Sequence, residues 1–289
     1  MAKAAGNKKI VFQGEPGANS DIACREAYPD YTPVPCATFE DCFAAVSSGD
    51  AELGMIPIEN SVAGRVADIH HLMPNAGLHI IAEWFLPIRN QLMAPNGASL
   101  DTIKTVESHV MALGQCRRVI RELKLKPIVN ADTAGSAREV ADSKDITRAA
   151  IASRLAAEIY GLNILKENVE DESHSTTRFI VLSREKKWAS HGNGKVVTTF
   201  VFRVRNVPAA LYKAMGGFAT NGINMTKLES YMVGGNFFAT QFYADVEGHP
   251  DDTSLVFALE ELRFFSKELT ILGVYPASPY RETFKEEKD

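Results

Sequence analysis

The sequence predicts an α/β protein of two domains, and three observations carry that expectation. Its 289 residues exceed the roughly 150 that one domain typically takes. Up to about residue 183, short β-branched runs alternate with segments of helical periodicity, as strands and helices do when they follow one another in turn. The stretch Ser183–Lys195 is then polar and glycine-containing, with almost nothing to bury, and reads as a linker. Hydrophobic residues make up 45% and charged residues 23%, which fits an ordinary folded chain and excludes wholesale disorder, a collagen repeat or a disulfide scaffold.

In chain order, the apolar run Ile10-Val11-Phe12 marks a strand over Lys9–Gln13, and Ser20–Tyr28 and Phe39–Ser47 follow as helices. Leu53–Ile56, His79–Leu86, Thr102–Ser108, Pro127–Asn130 and Arg178–Leu182 read as strands; His109–Leu123, Thr133–Asp142 and Ile151–Gly161 read as helices. Beyond the linker, Val196–Val204 is strand-like, and Pro208–Thr220 carries Leu211, Met215 and Phe218 at helical spacing until Asn221-Gly222 stops it. Ile223–Val233 and Phe237–Val246 read as strands joined by Gly234-Gly235, a hairpin signal. Asp251 and Asp252 open a helix whose apolar face is Leu255, Ala258, Leu259, Leu262 and Phe265, and Leu269–Val274 closes the domain. The resulting β-α-β-β-α-β order is a ferredoxin-like pattern, which by itself says little about function.

Lys plus Arg is 31 and Asp plus Glu is 36, a net charge of −5. That balance lacks the basic footprint of nucleic-acid binding. Cys24, Cys36, Cys42 and Cys116 form no CxxC pair and no Cys/His cluster at zinc spacing, so they read as reduced thiols of a cytoplasmic protein. Met1–Gly6 passes through Asn7-Lys8-Lys9 into the first strand without the apolar core of a signal peptide. The most apolar stretch, Ile80–Ile88, is broken by Glu83 and is about half of the ~20 residues that a bilayer span requires.

Several places set polar groups at expected strand ends, where open α/β sheets bind ligands. Gly14-Glu15-Pro16-Gly17-Ala18-Asn19-Ser20 is either an anion-binding turn or an ordinary capped turn, since it lacks the phosphate-loop spacings. In Pro57-Ile58-Glu59-Asn60-Ser61 a carboxyl and an amide emerge after a buried strand; Glu59 is either a desolvated acid or a solvent-facing loop residue. Ser108 and Gln115 are seven positions apart on an expected helix, about 10 Å along one face. They either bracket a small substrate or serve as an N-cap and a surface amide. Asp132-Thr133-Ala134-Gly135-Ser136 offers further hydroxyl and N–H donors, and Ser175-Thr176-Thr177-Arg178-Phe179 sets hydroxyls beside a cation suited to a carboxylate. These groups comprise donors and one cation, with no metal cluster, no Ser-His-Asp order and no phosphate cradle, which points to a small carboxylate ligand and no cofactor.

Taken in order, these segments resemble the prephenate dehydratase family over nearly the whole chain. The resemblance rests on Gly14-Glu15-Pro16-Gly17, Pro57-Ile58-Glu59-Asn60-Ser61 with Gly64, Ser108-His109 with Gln115-Cys116, and Asp132-Thr133-Ala134-Gly135-Ser136-Ala137. It continues through Ala149-Ala150-Ile151-Ala152-Ser153, Tyr160-Gly161-Leu162 and Thr177-Arg178-Phe179. The C-terminal unit resembles an ACT domain. The resemblance implies a catalytic domain over 8–183 of two α/β lobes like type II periplasmic binding proteins, a linker over 184–195 and an ACT regulatory domain over 196–280.

It also implies a reaction: prephenate loses its ring hydroxyl and ring carboxylate together, giving phenylpyruvate, water and carbon dioxide, without a cofactor. The implied catalytic positions are Thr177, Glu59, Asn60, Ser108 and Gln115, with Arg178, Phe179, Thr133, Ser136 and Ser61 toward the substrate. Because an alcohol is too weak an acid to protonate a leaving group fully, Thr177 is expected to donate a hydrogen bond to the departing hydroxyl, with Glu59 as proton source behind it. Arg178 is expected on the pyruvyl carboxylate, since a cation on the departing carboxylate would oppose its loss. Ser175 stands where the family commonly has Asn, and Met111 where it often has Gln.

The implied effector is L-phenylalanine, with Ala209, Ala210, Leu211, Asn224, Glu229 and Ser230 as its candidate site. There Ala209-Ala210-Leu211 replaces Gly-Ala-Leu and Glu229-Ser230-Tyr231-Met232 replaces Glu-Ser-Arg-Pro. The added Cβ of Ala209 narrows that pocket. The resemblance further implies a homo-oligomer formed through the ACT domain. Arogenate dehydratase, a non-catalytic sensor on the same scaffold and a DNA-binding regulator are the alternatives. The last lacks both a helix-turn-helix segment and a basic patch.

Overall fold

The computed structural model describes residues 8–66, 69–232 and 239–284. It begins with β1 (Lys9–Gln13), α1 (Asn19–Ala27), β2 (Thr32–Cys36), α2 (Phe39–Ser48), β3 (Leu53–Asn60) and β4 (Gly64–Arg65). There follow α3 (Ile69–Leu72), β5 (His79–Pro87), β6 (Gln91–Ala94), β7 (Thr105–His109), α4 (Val110–Gln115), α5 (Arg117–Glu122) and β8 (Lys126–Asn130). Next come α6 (Thr133–Ser143), β9 (Arg148–Ala152), α7 (Arg154–Tyr160), β10 (Asn163–Lys166) and β11 (Thr176–Ser183). The last elements are β12 (Val196–Val204), α8 (Ala210–Thr220), β13 (Met225–Met232), β14 (Ala239–Glu247), α9 (Thr253–Phe265) and β15 (Ser266–Pro276). The α/β class expected from the sequence holds. The expected Gly234-Gly235 connection, the strand start at Phe237 and the N-terminal Met1–Asn7 lie outside the described residues.

The chain divides into two compact units, Met1–Val66 with Trp84–Phe179 and Ala67–Glu83 with Ile180–Asp289. The first contains two sheets. One runs β11-β3-β1-β2, with β1 parallel to both β2 and β3. The other runs β10-β6-β9-β7-β8, parallel across β9-β7-β8 and antiparallel across β10-β6-β9. Its core sets Leu92, Val106, Ala149 and Ile151 against Leu113 of α4 and Ile120 of α5, and Met93, Ala150 and Ala152 against Ala137 and Val140 of α6 and Ala156 of α7.

Local chemistry fixes the helix starts. Thr38 and Asp41 form a reciprocal capping box on α2, Asp132 accepts from Gly135 N at 2.6 Å on α6, and Ser153 accepts from Ala156 N at 3.0 Å on α7. Two expected helices differ. Ile151 belongs to strand β9 and the helix begins only after the Ser153 cap, because the short apolar run 149–152 fills a sheet core. The helix expected over His109–Leu123 is two helices broken at Cys116, and Ser108 lies in β7, one residue before the His109 N-cap.

The Gly14–Gly17 turn spends its polar groups on the fold. Gly17 N donates to Asp21 Oδ2 at 2.9 Å, Gly17 O accepts from the Ser153 hydroxyl and Pro16 O from the Tyr160 hydroxyl. At Gly17, φ is +89° and a Cβ would lie 2.7 Å from Ala156 Cα, so glycine alone permits this docking of the turn on α7.

In the second unit β12, α8, β13, β14, α9 and β15 reproduce the β-α-β-β-α-β order, with sheet order β13-β14-β12-β15 antiparallel throughout. Phe200, Phe202, Phe242 and Val246 pack against Phe218, Leu255, Leu259 and Leu262 of α8 and α9. The 3-10 turn Pro279–Phe284 is held through Arg281, whose guanidinium meets both oxygens of the buried Glu83 at 2.6 and 2.8 Å. Residues 184–195 carry no helix or strand.

Candidate active site

The first unit contains a cavity of about 180 Å3 lined from both sheets. Asn60, Ala63 and Thr177 come from one side; His109, Met111, Ala112, Gln115 and Thr133 from the other; Asn19 opens α1; and Ile88 and Asn90 lie on the crossover between sheets. Asn60 is set by its own turn, because its Oδ1 accepts from Val62 N at 2.9 Å and Ala63 N at 2.7 Å. That arrangement fixes the amide orientation, so Nδ2 donates to Thr177 Oγ1 at 3.0 Å and Ser175 Oγ at 3.2 Å. Thr177 Oγ1 is therefore an acceptor toward Asn60, and among the described residues no acceptor takes its proton.

His109 accepts from Met111 N through Nδ1 at 3.3 Å, which leaves Nε2 to carry the ring proton of the neutral form. Cys116, beside Gln115, is inert: burial pushes its thiol up to about 12, and Asp171 and Glu170 add to the rise. Two segments, 88–90 and 167–175, link the sheets. Ile88 N donates to Ser175 O at 2.8 Å and Val169 N to Asn90 O at 2.8 Å.

Of the residues singled out in the sequence, Asn60, Gln115, Thr133 and Thr177 meet at this cavity. Glu59 and Arg178 instead meet each other, Nη1 to Oε1 at 2.9 Å, with Arg178 only 3% exposed and 6.0 Å from the Phe85 ring centroid. The contact gives Arg178 a protein partner, and neither residue is among those that line the cavity. Ser108 shares no helix with Gln115: it lies in β7, as the strand reading of Thr102–Ser108 has it, fully buried, and its hydroxyl donates to Ile151 O at 2.6 Å. Ser136 likewise turns back to Asp132 O at 2.7 Å, Ser61 ties His174 O and Thr176 N, and Phe179 is core. The sequence reading missed Asn90. Its one signal is a polar residue shortly after the apolar run ending at Ile88.

In the second unit Ala209, Ala210, Leu211 and Ser230 line a cavity of about 440 Å3. Ala209 holds a left-handed φ of 59° as the residue before α8. Asn224 and Glu229 are engaged outside that lining, with Glu247 at 3.0 Å and Lys227 at 3.3 Å.

Two sheets around a cavity lined largely by amides and hydroxyls, with an antiparallel α/β unit in the same chain, define a protein of the α/β class with a site sized for a small molecule. The family model for prephenate dehydratase matches residues 10–187, more than half of the chain, and the protein belongs to that family of lyases. A Komagataeibacter europaeus protein, named bifunctional N-acyl-homoserine lactone acylase/prephenate dehydratase, is 51% identical over 96% of this chain and 98% of its own. Arogenate dehydratase/prephenate dehydratase 1 of Arabidopsis thaliana is 38% identical over 93% of this chain and 72% of its own. Among solved structures, prephenate dehydratase in complex with L-Phe from Arthrobacter aurescens gives a TM-score of 0.85 at 31% identity, covering 93% of this chain and 90% of that one.

Proposed function

We propose that this chain is a prephenate dehydratase whose reaction takes place at the cleft of Asn60, Gln115, Thr133 and Thr177. The observation that carries the reading is the Asn60–Thr177 hydrogen bond of 3.0 Å, which makes the hydroxyl an acceptor on its protein side and a donor toward the cavity. In the reaction the bond from the ring to its carboxylate breaks and its electron pair enters the ring. The ring–hydroxyl bond breaks at the far side, and that oxygen leaves with one proton taken up, as water. Prephenate dianion plus one proton thus gives phenylpyruvate, carbon dioxide and water. Aromatisation drives the step, so the protein's task is orientation and stabilisation of the departing oxygen. Thr177 serves that oxygen, Asn60 aims Thr177, and Gln115 and Thr133 hold the substrate from the facing lobe. The Arg178–Glu59 pair joins β11 to β3, the strands that carry Thr177 and Asn60.

The C-terminal β-α-β-β-α-β unit, residues 196–280, is in this reading an ACT regulatory domain that takes L-phenylalanine at the cavity of Ala209, Ala210, Leu211 and Ser230 and joins copies of the chain into a homo-oligomer. The Arthrobacter aurescens relative in complex with L-Phe supports the choice of L-phenylalanine as the effector. A second activity, hydrolysis of N-acyl-homoserine lactones, is favoured by the 51% identity along 96% of the chain to the bifunctional relative.

The test is steady-state turnover of prephenate, followed as phenylpyruvate, with arogenate and an N-acyl-homoserine lactone in parallel and Thr177→Ala as control. Conversion of prephenate that collapses in Thr177→Ala is the expected result. Preference for arogenate keeps the mechanism and changes the substrate, whereas turnover of neither overturns the dehydratase reading.

A further inference from the structure

We propose that Asp171 is a positioning residue for this reaction: it pins the break between α4 and α5 and so holds Gln115 at the cleft opposite Thr177. The inference rests on the dehydratase reading above. Asp171 accepts from Arg117 N at 2.9 Å and Arg118 N at 3.0 Å through its two carboxylate oxygens, and its own N donates to Gln115 O at 2.6 Å. Three contacts therefore bind one residue of the crossover to both sides of a single turn. The turn is Cys116, with φ −124° and ψ 30°, where one helical run is split in two. The first N–H groups of a helix have no partner within it, and an anion placed there stabilises them. A break at this point thus depends on the Asp171 carboxylate.

The break matters because of Gln115. Among the described residues nothing hydrogen-bonds its carboxamide, so its backbone alone sets its place in the cavity lining. The preceding residue, Glu170, does a parallel job: its buried carboxylate accepts from Asn90 N at 2.9 Å and meets Arg89 at 3.3 Å, and Asn90 also lines the cavity. Two consecutive residues thus hold two lining positions, Glu170 by its carboxylate on Asn90 N and Asp171 by its backbone N–H on Gln115 O, with the Asp171 carboxylate fixing the start of α5 just beyond. The change Asp171→Asn would keep the shape but turn an N–H donor toward one of the two backbone donors.

The experiment uses the full chain, with Asp171→Asn, Gln115→Ala and the double variant, each assayed for prephenate turnover and thermal unfolding. Asp171→Asn is expected to lower kcat about tenfold or more with KM changed far less, as a misplaced group does. It is expected to add nothing on the Gln115→Ala background, since both changes remove one function. Wild-type kcat in Asp171→Asn, or losses that multiply in the double variant, would overturn the inference. Should Asp171→Asn melt below the assay temperature, Asp171→Ser, which retains one oxygen acceptor, is judged by the same criteria. Failure of the unmodified protein to turn over prephenate or arogenate would overturn the dehydratase reading and this inference together, whereas full turnover by Asp171→Asn overturns the inference alone.

Discussion

Replacing Asn60 by aspartate changes one amino group to an oxygen and almost no volume, yet the geometry makes it a severe catalytic lesion. The oxygen facing Val62 N and Ala63 N at 2.9 and 2.7 Å keeps both bonds. The second carboxylate oxygen then faces two hydroxyls, Thr177 at 3.0 Å and Ser175 at 3.2 Å, where the amide had donated. Both hydroxyls rotate to donate to it, because a charge-assisted hydrogen bond is the stronger option. On the proposed mechanism, Thr177 thereby surrenders to the protein the proton that it would offer to the departing oxygen. Loss of one positioned donor of this kind costs on the order of 10²–10³ in kcat, about 2.7–4 kcal/mol. Every hydrogen bond is conserved, so folding stability changes by less than about 1 kcal/mol. Steady-state assays should put Asn60→Asp and Thr177→Val within a few-fold of each other and their combination no lower. Activity of Asn60→Asp should rise as pH falls, since the introduced carboxyl donates again once it is protonated. If Asn60→Asp kept kcat within about threefold of wild type while Thr177→Val did not, the hydroxyl would not be aimed by Asn60, and the reasoning would fail.

Three further outcomes follow from the packing. Gly17→Ala combines φ +89° with a Cβ 2.7 Å from Ala156 Cα and should destabilise by about 3 kcal/mol in urea unfolding; an unchanged midpoint would contradict the tight docking of the turn. Arg281→Ala removes two guanidinium contacts from a carboxylate whose side chain is wholly buried and should cost about 3–5 kcal/mol by the same measurement. Asp252 is held below its ordinary value of 3.8 by the His249 N–H, 2.6 Å from its carboxylate, and then by His191. A depressed folded-state value means stability that is present above 3.8 and is lost as pH falls through the lower folded-state value. Urea midpoints from about pH 5 down to about pH 2 should therefore fall less steeply in Asp252→Asn than in the wild type, and parallel slopes would refute the assignment.

What is legible in the sequence, and what is hidden, divides by how local the cause is. Strand β1 is a continuous apolar run and reads directly, whereas β3 reads only over Leu53–Ile56 and in fact continues to Asn60, so that Glu59 and Asn60 lie within the strand and not after it. Strand β2 carries Pro33 and Pro35, which remove donors and argue against a strand, yet it survives as the edge of its sheet order, where proline is tolerated. The apolar spacing of Leu113, Val119 and Ile120 runs straight through Cys116, so one helix is the natural reading; the break is imposed by Asp171, 54 positions beyond Arg117. At the site the partners Asn60 and Thr177 are 117 positions apart, a pairing no spacing rule reaches, and only the resemblance joins them. Ser108 shows the opposite error. A hydroxyl expected at a helix start looks available for chemistry, but the strand buries it and gives it a backbone acceptor.

The charges around the cleft refine the expected part of Arg178. A dianionic substrate calls for a cation, and Arg178 is the candidate nearest Thr177 in sequence. Yet that guanidinium is 3% exposed and bound to Glu59, and the described residues lining the cavity are amides, hydroxyls, an imidazole and apolar groups, with no carboxylate and no Lys or Arg. For the proposed decarboxylation this would be the more effective arrangement. A permanent cation against the departing carboxylate would stabilise the ground state by more than the transition state, where that charge is moving into the ring. Neutral donors such as Asn60, Asn90, Gln115 and Thr133 satisfy oxygen lone pairs without pinning the charge, while the absence of carboxylates among the described lining residues removes repulsion. On this proposal Arg178 acts through Glu59 and the β3–β11 junction on which Asn60 and Thr177 sit. Arg178→Lys should accordingly lower kcat more than it raises KM, the reverse of what a direct grip on the pyruvyl carboxylate would give.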